Sequence, residues 1–313
     1  MPKFSHPHHG SMQYWPRKRS KHSLARIRFW GKESKARLLG FIGYKAGMTQ
    51  VLALDNRPKS MTKGEQITVP VSIIECPPLQ AAGIAYYKHG KKVGQVLAEK
   101  LSLELAKKLP LPKKRKPAVS DYDDMRLLIH SQPKLISVDA KKPKILEIAL
   151  GGSLEEKKKY AHDMLGKEIK ITDVFESGVS VDIHGVTKGK GFQGTVKRYG
   201  VPIRQHKAEK TKRGIATLGS WTPKRVEYTV PQSGKMGYHL RTEYNKHILK
   251  ISDKGEEVNP AGGLIRYGLV KSSYLLLKGS VSGPKKGAMV LIPSIRPDVR
   301  IGKDAFQIAM VRR

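Results

Sequence analysis

The stretch GVTKGKGFQGTVKRYGVPIRQHKAEKTKRGIATLGSWTPKRVEYTVPQSGKMGYHLR, Gly185–Arg241, decides how the rest of the chain is read. Its 57 residues hold thirteen Lys/Arg and nine Gly against two acids, Glu209 and Glu227. Neither helical nor strand periodicity survives in most of it. A structureless loop of that length is unusual inside a compact domain and marks function or disorder. So many like charges repel one another, and so few apolar residues can bury, that a partner has to supply the order. Polyanionic RNA or DNA meets both needs, neutralising the lysines and packing against the glycine backbone.

Composition agrees. The formal net charge is +34 over 313 residues, from 60 Lys+Arg and 26 Asp+Glu. That far exceeds the magnitude of about 2–8 that suits a small free domain, and an excess of this size speaks to partners and not to fold. Membrane surfaces or acidic proteins would also attract it, but no run approaches the roughly 18 apolar residues of a spanning helix. A hydrophobic fraction of 39% still allows a real core. The single cysteine, Cys76, excludes an internal disulfide framework and a multi-Cys zinc site, suits a reducing compartment, and reads as a buried structural thiol. The first acid is Glu33. An Arg-rich, acid-free start could be a transit peptide, but His6-Pro7-His8-His9-Gly10 and Trp15-Pro16 break any amphipathic helix there. A basic arm lying on nucleic acid is the better reading.

Charge is unevenly spread. Residues 1–39 hold ten Lys/Arg and one acid, whereas residues 81–172 hold twenty Lys/Arg and eleven acids. The excess therefore sits in the arm and the long loop, with a third patch at Lys107–Lys116. Between these lie short β-type runs: Leu38–Ile42 and Met48–Leu54 around a turn-rich Gly43–Gly47, Ile67–Cys76, Ile169–Phe175, Val179–His184, Lys246–Ile251, Tyr274–Leu277, Met289–Ile292 and Gln307–Val311. Pro70 would be poorly tolerated in a central strand. Many short strands at such spacing predict an antiparallel barrel or sandwich. Two helices are expected in 81–172: one carrying Leu101, Leu105 and Leu109 and ended by Pro110, and one opened by the capping box Ser153–Glu156, with Gly166 past its end. Residues 81–172 thus read as an α/β insertion in a mainly β domain.

The motifs are weighed against plainer readings. Gly189-Lys-Gly191-Phe-Gln-Gly194 fits G-x-G-x-x-G, but Thr195–Gly200 is not expected to open a helix and no βαβ frame surrounds it. Its glycines can still let a phosphate backbone approach while Lys188, Lys190 and Lys197 neutralise it. His6, His8 and His9 lack a completing ligand, and Asp121, Asp123 and Asp124 lack the glycine and closing Glu of a calcium loop. No metalloprotease, serine-hydrolase or cysteine-based metal motif occurs, so no enzyme activity, metal or cofactor is expected. Trp221 sits among basic flanks with no apolar run nearby, and is expected to stack on bases.

The blocks Val186–Gly194, Gly219-Ser-Trp-Thr-Pro223 and Gly237–Lys246, with Gly10–Arg19 and Phe41–Thr49, strongly resemble the large-subunit ribosomal protein three family, in the family's order. The chain is similar to archaeal members. The resemblance implies a six-stranded β-barrel of the translation-protein kind, with an extended N-terminal arm and a long central loop that penetrate large-subunit (23S-type) rRNA toward the peptidyl transferase centre. It also implies early assembly near the 3′ region of that rRNA, beside proteins fourteen and twenty-four, with no membrane and no small-molecule substrate. Some eukaryotic members carry a methylated histidine where this chain has Glu209; His206 is out of register, so that modification is not carried over.

On this reading the chain divides into an arm (1–37), barrel parts (38–80, 173–185 and 244–313), the insertion (81–172) and the central loop (186–243). Candidate rRNA-binding residues of the arm and first barrel part are Arg17, Lys18, Arg19, Arg26, Arg28 and Lys45. Those of the loop are Lys188, Lys190, Lys197, Arg198, Arg204, His206, Lys207, Lys210, Lys212, Arg213, Trp221, Lys224, Arg225, His239 and Arg241. The competing reading is a free-standing RNA- or DNA-binding factor that never joins a ribosome.

Overall fold

A computed structural model of the chain describes residues 9–99, 101–110, 119–208, 210–222 and 224–312. The chain forms two compact units. One comprises the described residues up to His22 together with Val186–Leu240; the other comprises Ser23–Gly185 and Arg241–Arg313. The architecture is mainly β, with a few short helices.

The larger unit opens with β1 (Phe41–Asp55), β2 (Gln66–Glu75), β3 (Leu79–Lys88) and β4 (Lys91–Leu97). Helix α1 (Leu103–Ala106), β5 (Asp124–Ser131), β6 (Ile145–Ala149), α2 (Leu154–Met164), β7 (Glu168–Ile169) and β8 (Ser180–Val186) follow. Residues 186–240 contain β9 (Phe192–Gln193), α3 (Thr195–Tyr199) and β10 (Gly234–Lys235). Then come β11 (Leu240–Ser252), β12 (Tyr274–Lys278), β13 (Ala288–Pro293) and β14 (Phe306–Val311). The principal sheet has the order β13-β8-β11-β12-β2-β1-β14, and β1 pairs with β13 as well. A second sheet runs β4-β3-β5-β6, with β7 on β3.

Several expectations are corrected. Gly43–Gly47 is not a turn between two strands but part of continuous β1, with a bulge between Lys45 and Gly47. Gly43 is there for space: a Cβ would lie 2.5 Å from Ile74 Cγ2. β2 is paired on both sides despite Pro70. The Pro70 carbonyl accepts from Gly279 N at 2.8 Å, beyond the end of β12 at Lys278. A residue's N–H and C=O project to the same side of a strand, so the missing donor falls where that ladder has already ended. Ile169–Phe175 is not a strand; only Glu168–Ile169 pairs, and Ile171–Asp173 is a 3₁₀ turn. The helix expected around Leu101–Leu109 shrinks to α1, where Leu105 alone is buried and Leu109 is exposed. Helix α2 forms as read, with both halves of the Ser153–Glu156 capping box present and Gly166 at φ +79°. Part of the Lys107–Lys116 patch lies outside the described residues.

Two large apolar clusters and a small third one hold this unit among the described residues. β12 shows why its run, Tyr-Leu-Leu-Leu, does not alternate. Leu275 and Leu277 enter one cluster with Phe41, Ile74, Leu127 and Ile183, while Tyr274 and Leu276 enter another with Val51, Val71 and Phe306. Both faces of the strand are covered, so the period-two signal vanishes. Buried carboxylates pin the loops. Asp55 accepts from Arg57 N, Nε and Nη2 and from the hydroxyls of Ser60 and Thr62, all within 3.0 Å. Those donors, the Arg57 guanidinium first, hold its pKa far below the usual carboxylate range. Glu75 accepts from Tyr267 Oη and from the backbone of Lys271 (2.6 Å) and Ser272 (2.8 Å), and burial nevertheless pushes its pKa up.

Candidate nucleic-acid interface

The smaller unit has almost no core. Among its described residues, Val186, Tyr199 and Val201 are the buried apolar side chains. Arginines and backbone bonds do the work that packing does elsewhere. Arg17 Nη1 donates to the Arg198 carbonyl at 2.6 Å, with its guanidinium carbon 4.0 Å from the Tyr199 ring centroid. Arg198 donates from Nε to the Lys235 carbonyl (3.0 Å) and from Nη1 to the Gln232 carbonyl (2.8 Å). Arg204 donates to the Ile215 carbonyl. Trp15 packs against Tyr199 and Tyr228 at centroid distances of 5.9 and 5.8 Å. A guanidinium presents several donors in a fixed fork, so one side chain can close carbonyls that no ladder satisfies.

The glycine-rich segment is held in the same way. Lys190 N donates to the Met236 carbonyl at 3.0 Å and Met236 N to that of Gly191 at 2.9 Å, framing the β9–β10 ladder. Gly237, at φ +76°, passes so close to the chain that a Cβ would lie 2.1 Å from the Lys188 carbonyl oxygen. No other residue fits there. Thr195–Gly200, not expected to be helical, opens α3 with Gly200 left-handed at its end. Five residues are too few to show a period, and Lys197 and Arg198 sit in the last turn, where the helix dipole favours cations.

The candidates sort into two sets. Lys18, Arg19, Lys188, Lys190, Lys197, His206, Lys207, Lys210, Lys212, Arg213, Lys224 and Arg225 are exposed on the smaller unit. Trp221 is 84% exposed, and Lys224 N donates to its carbonyl at 2.8 Å, closing a turn. Arg17, Arg198 and Arg204 are committed to carbonyls, as described, and His239 is buried with Nδ1 2.8 Å from the Lys18 carbonyl oxygen. On the larger unit Lys45 donates to the Val281 carbonyl, and desolvation lowers its pKa; Arg241 is half-buried. Arg26 and Arg28 are exposed, alternating with buried Ala25 and Ile27, and Ile27 packs with Val290 and Ile292. That alternation was legible in Ala25-Arg-Ile-Arg28 but was missed, as was Phe192, a lone aromatic between glycines that is 76% exposed. Glu209, His6 and His8 lie outside the described residues.

The family model described as ribosomal protein L3 matches residues 1–125 and 113–307. The chain belongs to that family. It is 44% identical over 307 residues to large ribosomal subunit protein uL3 of Methanocaldococcus jannaschii, covering 93% of this chain and 92% of that one. It is 43% identical over 309 residues to the Archaeoglobus fulgidus protein of the same name, covering 94% and 93%. The Methanococcus maripaludis protein is 41% identical over 324 residues, with 99% and 96% covered. The resemblance carried by the glycine, tryptophan and Gly237–Lys246 blocks is thus family membership, of archaeal type. Among the described residues no helix is long and apolar enough to cross a membrane, and no three His, Cys, Asp or Glu could hold a metal ion.

Proposed function

We propose that this chain is an architectural rRNA-binding protein of the large ribosomal subunit, acting in the cytoplasm. The observation that carries this is the smaller unit itself: cations spread over a body whose described residues include three buried apolar side chains, and an indole held in solvent on a hydrogen-bonded turn. Exposed Lys and Arg contribute sequence-independent attraction to phosphates, and a fixed aromatic contributes stacking. The committed arginines shape the backbone so that the remaining cations point outward. Residues 1–37 and 186–243 are then the rRNA-contacting arm and central loop, with Trp221 nearest the peptidyl transferase centre. Residues 81–172 are an insertion into a barrel. The pairings β13–β8–β11–β12–β2–β1, with β1 returning to β13, support a closed six-stranded barrel of the translation-protein kind. Early assembly near the 3′ region of the rRNA, beside proteins fourteen and twenty-four, belongs to the same reading.

Sucrose-gradient sedimentation in high salt tests it. The protein should remain with large subunits and not with the free fraction. Binding to purified large-subunit rRNA should fall with log salt at a slope of about −7 to −9, for about ten phosphate contacts at roughly −0.7 to −0.9 each. Migration as free protein or with bulk nucleic acid would favour a factor outside the ribosome.

A further inference from the structure

We propose that Phe192 is a second aromatic platform of the smaller unit, on which an unpaired base of the bound RNA stacks. The inference rests on the rRNA-binding reading and adds a site to it. Phe192 is 76% exposed, and among the described residues no ring or cation contact engages it. Its backbone is nevertheless fixed. It pairs with Lys235 across the β9–β10 ladder, the Lys190–Met236 and Met236–Gly191 bonds lie beside it, and Gln193 Nε2 donates to the Lys190 carbonyl at 2.6 Å. A large apolar ring held in water on a hydrogen-bonded ladder loses the burial that would stabilise it, unless a partner covers it. The backbone beside it is uncrowded as well: a Cβ added to Gly191 or Gly194 would meet nothing within 4 Å. Exposed Lys188 and Lys190 precede it in sequence and can hold the phosphates of the same strand. A flat ligand with an adjoining anion fits that set; a nucleotide in a single-stranded or bulged segment is one.

The test uses the full chain and purified large-subunit rRNA free of other proteins. Phe192→Ala should weaken binding by about five- to a hundredfold at every salt concentration, leaving the log–log salt slope parallel to wild type. Phe192→Trp should keep the affinity and Phe192→Leu should lose most of it, with thermal midpoints unchanged in all three. Wild-type affinity in the alanine variant overturns the proposal. A shallower slope overturns it too, because the ring would then be positioning lysines. A defect that appears only in subunits containing the other proteins, and not on bare rRNA, would mean that the ring meets protein. If wild type itself shows no salt-dependent binding, the rRNA-binding reading fails first and takes this inference with it.

Discussion

The two units reach order by opposite means. The strand-rich unit buries side chains such as Leu275, Ile73 and Phe41 completely, and its buried acids are ringed with donors. Among its described residues the basic unit buries three apolar side chains, and it instead directs arginines onto its own carbonyls. The first uses surface removed from water, which is non-directional and cooperative. The second uses directional bonds from charged donors, which fix a backbone path but leave the net positive charge uncompensated. The larger unit therefore has the means to fold unaided, whereas the smaller one has a fixed backbone path but little apolar burial to hold it.

That contrast is open to direct attack. Leu275→Ala should produce the largest effect, costing about 2–5 kcal/mol and lowering the melting of the larger unit as a whole. If the variant kept the wild-type melting of the larger unit and instead gained protease sensitivity only in residues 186–240, the two regions would not differ as described. Acid comes next. The Asp55 pKa is depressed on folding, so its contribution to stability is present above the unfolded value of about 3.9 and is lost as pH falls toward the lower folded value. Denaturant melts should weaken below about pH 4, and Asp55→Asn should be less stable at neutral pH with a gap to wild type that narrows on acidification. Cleavage within 186–240, where the only acids are Glu209 and Glu227, should not follow that profile.

Smaller, local effects follow. Gly237→Ala forces a Cβ against the Lys188 carbonyl, and Arg17→Ala removes the cover from the Arg198 carbonyl. Both should raise protease sensitivity in 186–240 while the main melting transition stays in place; loss of that transition would tie the two units into one cooperative block. Trp221→Ala should be the smallest, shifting the stability of the free protein by no more than about 0.5 kcal/mol, since the side chain is 84% exposed. Subunits carrying it should assemble but show altered peptidyl transfer. A loss of several kcal/mol in free protein would place the indole in a core.

Much of the partner chemistry was legible beforehand, because charge and glycine content are properties of composition and survive any fold. So was α2, whose capping box is local. Strand boundaries were not. Gly43 and Gly47 read as turn residues, yet both lie within β1, and at Gly43 the Ile74 side chain leaves no room for a Cβ. β3, with the covered run Ala81–Tyr87, carries no alternation to read. Nor could sequence divide the cations. Arg17, Arg198 and Arg204 look like their neighbours in composition, and only a fold that brings carbonyls of distant residues within 3 Å commits them to structure.

The sequence by itself determined the net charge of +34, and with it the expectation of a polyanionic partner. It determined the family as well, through blocks whose glycines and tryptophan stand in a fixed order. Tertiary structure alone decided which strands neighbour one another, and which basic side chains face outward or fold back on the chain. Pairing and burial depend on contacts between residues far apart in sequence, and no local pattern encodes them.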